Sequence, residues 1–116
     1  MQNERTVFVA HANERKDLKA AEQFGKLRDV FGNVGRNYNT PRMIEHARRV
    51  MEDWQAGDSI LMIGDPVLCG ICIAIASEYD AVVNTLSWDR NEFQYITRRW
   101  DFGPESRNVI TGPLGA

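Results

Sequence analysis

Two cysteines, Cys69 and Cys72, stand in the stretch GDPVLCGIC with the spacing of a C-x-x-C redox or metal-binding pair. The same nine residues hold Gly64 and Gly70, which invite comparison with a phosphate-binding loop. That comparison fails on spacing. A G-x-x-x-x-G-K-[ST] loop sets its glycines five apart with a lysine behind them, whereas Gly64 and Gly70 are six apart and Ile71 follows. A G-x-G-x-x-G dinucleotide turn is missing as well. Asp65 followed by Pro66 reads instead as the start of a helix. The carboxylate takes up free amides at the positive end of the dipole, and a proline at the first position loses no hydrogen bond there. So capped, the helix holds Cys69 in its second turn among Val67, Leu68, Ile71 and Ile73, where apolar neighbours raise a thiol pKa more than the dipole lowers it. Two buried, inert thiols are expected. His11 and His46 lie at spacings unlike those of zinc-ligand pairs, so neither a metal nor any other cofactor is expected.

His11 closes the first apolar run of the chain. If the strands ending at His11 and Gly64 are parallel, His11, Asn13, Gly64 and Asp65 meet at the carboxyl edge of the sheet, where open α/β folds form their ligand crevice. A histidine beside an aspartate could do acid–base work, but no serine or cysteine nucleophile is recognisable next to them. These four are therefore candidate ligand-binding residues, and no residue is assigned as catalytic. Arg90, Arg98 and Arg99 interleave with Trp88, Tyr95 and Trp100, a mixture that suits phosphates and stacked bases. Asp89, Glu92 and Asp101 dilute its charge. Trp88, Arg90, Arg98 and Arg99 are taken as an interaction surface, with nucleic acid not expected as its partner.

The elements that must position these residues follow from periodicity. TVFVAHA, β-branched and aromatic, reads as a first strand ending near His11. Leu18, Ala21, Phe24, Leu27 and Phe31 recur at three- and four-residue steps and predict a helix stopped by Gly32. GNVGRNYN is a loop, and Thr40 and Pro41 open a second helix, TPRMIEHARRVMEDW, ended by Gly57 with His46 on its solvent side. SILMIG is a nearly continuous apolar run, as in a central strand covered on both faces. PVLCGICIAIASEY is apolar almost all round, with small residues at Gly70, Ala74, Ala76 and Ser77, and predicts a helix buried on more than one side, which includes the prospect of a homodimer contact. AVVNTLSW and FQYITRRW, joined by the short polar DRNE, read as a hairpin. The expected fold class is α/β: one small open sheet, parallel at its centre with an antiparallel C-terminal hairpin, and three helices in the order β-α-α-β-α-β-β.

The 116 residues suit one domain, taken as 1–102, with an irregular tail over 103–116. With 43% hydrophobic and 26% charged residues the composition is that of an ordinary globular chain. A formal charge of -2 gives no overall pull toward nucleic acid or an anionic membrane. The longest apolar run, Val67 to Ala76, is well short of the roughly 20 residues a membrane helix needs. The stretch MQNERTVFVAHA holds no long apolar segment ahead of a cleavage site, and two cysteines do not make a disulfide framework, so a cytoplasmic location is expected.

With these residues on the page, the chain resembles a group of small uncharacterised proteins encoded in bacteriophage genomes. The likeness runs from about Thr6 to Ile96 through VFVAHA, DLKAAEQFGKL, the second helix, ILMIGDPVLCGICIAIASEYD and LSWDRNEFQYI. The elements most like that group are Asp17-Leu18 with Ala20-Ala21-Glu22 and Gly25, the Gly64-Asp65-Pro66 turn with Gly70, and Trp88-Asp89-Arg90 with Tyr95. The resemblance implies a phage-encoded protein acting in the host cytoplasm and brings no assigned activity, cofactor or catalytic residue. The group's pattern does not call for cysteines at 69 and 72, and the Gly/Asn loop before Thr40 and the tail are particular to this chain. The expectation is an accessory protein that binds a host or phage protein through a dimer or the hairpin. The second expectation is a small-ligand or nucleotide site at the carboxyl edge of the sheet.

Overall fold

The computed structural model describes residues 4–12, 18–32, 34–35 and 38–104. Five strands form one sheet: β1 (Thr6–Val9), β2 (Lys26–Asp29), β3 (Ser59–Leu61), β4 (Val82–Asp89) and β5 (Gln94–Asp101). Their spatial order is β2-β1-β3-β4-β5, with parallel pairing from β2 through β4 and an antiparallel final pair. Helices α1 (Thr40–Val50) and α2 (Pro66–Tyr79) and a 3₁₀ helix (Lys19–Phe24) complete the fold. The expected class, parallel centre, hairpin and three helical segments are all present.

The first helical segment differs from its prediction. Leu18, Ala21 and Phe24 keep a strict three-residue step, which is the period of a 3₁₀ helix, and the helix ends at Phe24. At Gly25 the backbone adopts φ +152° and ψ −179°, a region open to glycine almost alone, and a Cβ there would lie 2.5 Å from the Arg5 carbonyl oxygen. This break turns Lys26–Asp29 into edge strand β2, docked by the Lys26 amide donating to Arg5 O at 2.9 Å. The guanidinium of Arg28 on β2 lies 5.1 Å from the centre of the Phe8 ring and also pairs with Asp53 at 2.6 Å.

Alternation along the strands sends the apolar residues to two faces. Phe8, Ala10, Ile60 and Val83 face α1 and α2 and pack with Met51, Leu68, Ile71, Cys72 and Ile75 in the main core. Val7, Val9, Leu61 and Leu86 face the 3₁₀ helix and form a smaller core closed by Ala21. The two α-helices are tied by Arg48, which donates twice to Glu78 at 2.7 and 3.3 Å, and Trp54 donates its indole N–H to Asp80 at 3.1 Å.

The capping residue of α1 is Asn39, one place before the expected Thr40, and its side chain accepts the Arg42 amide at 3.2 Å. The helix closes at Met51, well before Gly57, because residues 51–57 turn the chain back toward β3. Asp58 is buried at that return. Its side chain accepts the Thr6 amide from β1 on one oxygen and the Gln55 amide on the other, each at 2.9 Å, so both buried oxygens have a partner. Strand β3 is central, as expected. The sheet and α1 bury two sides of α2, while a third, with Val67, Gly70, Ala74 and Ser77, is exposed. Among the described residues no helix is long and apolar enough to cross a membrane. The tail from residue 105 lies outside the described residues.

Candidate functional site

The chain leaves β1 toward β2 on one side and later returns to place β3 on the other, so the strand order switches direction between β1 and β3. The carboxyl ends of such neighbours diverge into a crevice. His11 from the end of β1 and Gly64-Asp65 from the end of β3 do meet there. The Asp65 amide donates to His11 Nδ1 at 2.9 Å, and His11 Nε2 lies 3.2 Å from the Val34 carbonyl. With Nδ1 accepting from the amide, Nε2 is the ring nitrogen placed to donate to the Val34 carbonyl. Gly64 has φ +90°, and a Cβ on it would come within 2.5 Å of both the His11 Cβ and carbonyl oxygen. Only glycine lets the turn pack this tightly against the histidine.

Asp65 serves the helix. Its Oδ1 accepts the Val67 amide at 2.8 Å, as the Asp-Pro pattern predicts, and its Oδ2 faces the Tyr38 hydroxyl at 3.5 Å. Burial, and after it the charge of Asp65, raises the pKa of Tyr38. Asn13, the fourth candidate, lies outside the described residues. His46 corrects its prediction: it does not face solvent but is half-buried, with Nε2 2.6 Å from the Val30 carbonyl and its ring 5.8 Å from that of Phe31. The two histidines thus reach Val30 and Val34 after β2, and Tyr38 reaches Asp65 at the same crevice.

The thiols are remote from reactivity. Cys69 and Cys72 are free and buried. Burial pushes Cys72 up to about 12, with Cys69 adding to the shift, and raises Cys69 as well, whose Sγ–H donates to the Ile63 carbonyl at 3.4 Å. Among the described residues no three His, Cys, Asp or Glu side chains are grouped so as to hold a metal ion.

Of the hairpin candidates, Trp88 and Arg90 stand together and the two arginines stand apart. Arg98 pairs with Thr85 and Arg99 with Asn84, so they project to opposite faces of β5, several residues along the strand from Trp88. Trp88 pairs with Tyr95 in an edge-on ring contact, 5.0 Å between centres and 72° between planes. These two rings and Arg90 line a pocket of about 410 Å³ with Leu61, Ile63 and Gly64 from the end of β3 and Leu18 ahead of the 3₁₀ helix. Sequence reasoning singled out Trp88, Arg90 and Gly64 separately. Their meeting depends on β4 lying beside β3, which local patterns do not encode. Phe93, at the turn between β4 and β5, was passed over: it is 77% exposed and has φ +52°.

A family model described as Phage Pam3 gp32-like protein matches residues 1–102, in keeping with the resemblance carried by the Gly-Asp-Pro turn and the Trp-Asp-Arg hairpin. No curated protein and no solved structure matches the chain.

Proposed function

The chain belongs to the phage Pam3 gp32-like family, and on that premise we propose that it is a non-enzymatic binding module, acting on a host or phage protein in the host cytoplasm through the end of the β4–β5 hairpin. The observation that carries this reading is Phe93. A phenylalanine in left-handed backbone costs roughly 1–2 kcal/mol, and this one is 77% exposed, so its burial in the monomer does not offset the strain. Exposed Arg90 stands three residues away in the same turn, and Trp88, 47% exposed, sits just before it. Aromatic and arginine side chains grouped in this way are the residues that dominate protein interfaces.

Reactive chemistry has less support. Both nitrogens of His11 and both oxygens of Asp65 already face partners within the fold, and the thiols are buried. A ligand site centred on His11, Asn13, Gly64 and Asp65 would have to displace those contacts.

The test compares the wild-type protein with Phe93→Ser, each immobilised and exposed to lysate from phage-infected cells. A protein retained by the wild type should be lost with the variant while its melting temperature is unchanged or higher. Identical retained sets would remove the hairpin end from the interface.

A further inference from the structure

The smaller face of the sheet is covered by a 3₁₀ helix of six residues, against twenty-five residues in α1 and α2 on the other. Among the described residues the cover stops short of the carboxyl ends of β3 and β4. What it leaves is the pocket bounded by Leu61 and Ile63 on one side and by Trp88 and Tyr95 on the other. Its volume of about 410 Å³ falls within the range of small-molecule sites, and its lining is mixed, with Ser87 and Arg90 beside the apolar and aromatic side chains.

Charge narrows the class of occupant. Arg90 is the one cation among the described residues that line the pocket, and it makes no ion pair with them. The neighbouring carboxylate does not neutralise it by contact. Alternation along β4 directs Asp89 to the face opposite Trp88, where its Oδ1 accepts the Asn91 and Glu92 amides at 2.8 and 3.3 Å. Trp88 is 47% exposed, and its edge-on contact with Tyr95 leaves ring surface open to a flat ligand.

We propose that this pocket binds a small planar organic anion, with its ring against Trp88 and Tyr95 and its acidic group paired with Arg90. An aromatic carboxylate and a nucleoside monophosphate share that chemistry. The pocket shares Trp88 and Arg90 with the partner contact proposed above but does not include Phe93, so Phe93→Ser is the change that separates failure of one reading from failure of the other.

The experiment is a thermal-shift and calorimetric titration of the full chain with four probes. Naphthalene-2-carboxylate and adenosine 5′-monophosphate are the planar anions; adenosine is the ring without charge, and inorganic phosphate the charge without ring. At least one planar anion should raise the melting temperature with concentration, more than either half-probe does, because a ligand held only by the folded state stabilises it by mass action. Which of the two binds identifies the source. Arg90→Gln, a change at an exposed turn residue, should weaken that binding by about tenfold through loss of a charge-assisted pair, and Phe93→Ser should leave it intact. No binding of either planar anion at millimolar concentration, or equal binding by the wild type and Arg90→Gln, would overturn the assignment.

Discussion

Two openings lie side by side at the carboxyl edge of this sheet, and the protein treats them differently. The crevice between β1 and β3, where the strand order reverses, is filled from within by His11, the Gly64-Asp65 turn and the Tyr38 hydroxyl. The space over β3, β4 and β5 is left open by the described residues, between an aromatic pair and an arginine. Strand topology alone would assign the ligand to the first. The difference teaches that a switch point supplies a place and not a vacancy: polar groups engaged in bracing a turn are no longer free to receive a ligand, whereas Arg90 makes no ion pair with the described residues that line the pocket and the Trp88 ring, though it meets Tyr95 edge-on, is 47% exposed.

The contrast is open to direct attack. Gly64→Ala should be the most disruptive change in the closed crevice, because its Cβ would overlap His11 in a backbone region alanine avoids. A loss of about 3–5 kcal/mol is expected from urea unfolding midpoints at unchanged slope. A loss under 1 kcal/mol would mean that the turn can move away and that the crevice is not tightly packed.

His11→Ala comes next. It removes the acceptor of the Asp65 amide and the partner of the Val34 carbonyl, at a cost of about 1–3 kcal/mol by the same measurement. A neutral or stabilising outcome would instead mark His11 as a residue held for a ligand, and would erase the distinction between the two openings. Arg90→Gln serves as the reference here and should change stability by no more than about 0.5 kcal/mol.

The smallest effect at neutral pH concerns the thiols under the Asp65 cap. Cys72 is raised from 9.0 to about 12 in the folded chain, so between those values the unfolded state loses its proton while the folded state keeps it. Stability is therefore fully present below pH 9 and falls as pH rises toward 12, with Cys72→Ser or Cys72→Ala flattening that limb. At pH 7 both states are protonated, and the residue contributes no pH dependence there. Fast modification of either cysteine by a thiol reagent in the native state would show that this side of α2 is not sealed.

How much of this was legible in the sequence varies with how local the cause is. The start of α2 was readable residue by residue, since Asp65 and Pro66 act on the amides beside them. The hairpin was equally plain, with β4 and β5 each one residue displaced from the apolar runs AVVNTLSW and FQYITRRW. Strand β2 was not. Its four residues, KLRD, include three charges, and what makes them a strand is the register with Thr6–Val9 and the ring of Phe8 beneath Arg28, both contributed by distant sequence. The same holds for His46, whose acceptor, Val30 O, belongs to the segment after that unseen strand. The pocket was legible only in pieces, because Gly64 and Trp88 become neighbours through strand order.

The carboxylate of Asp58, far from either opening, has the widest reach. Strand β3 is three residues long, about 10 Å, so an error at one end arrives undiminished at the other. By fixing Thr6 against the lead-in to β3, Asp58 works as an alignment pin, and a slip of one position there would carry His11 out of step with Gly64 and turn Leu61 from one layer of packing to the other. An acid at the base of the sheet thus helps to set the geometry of its upper rim.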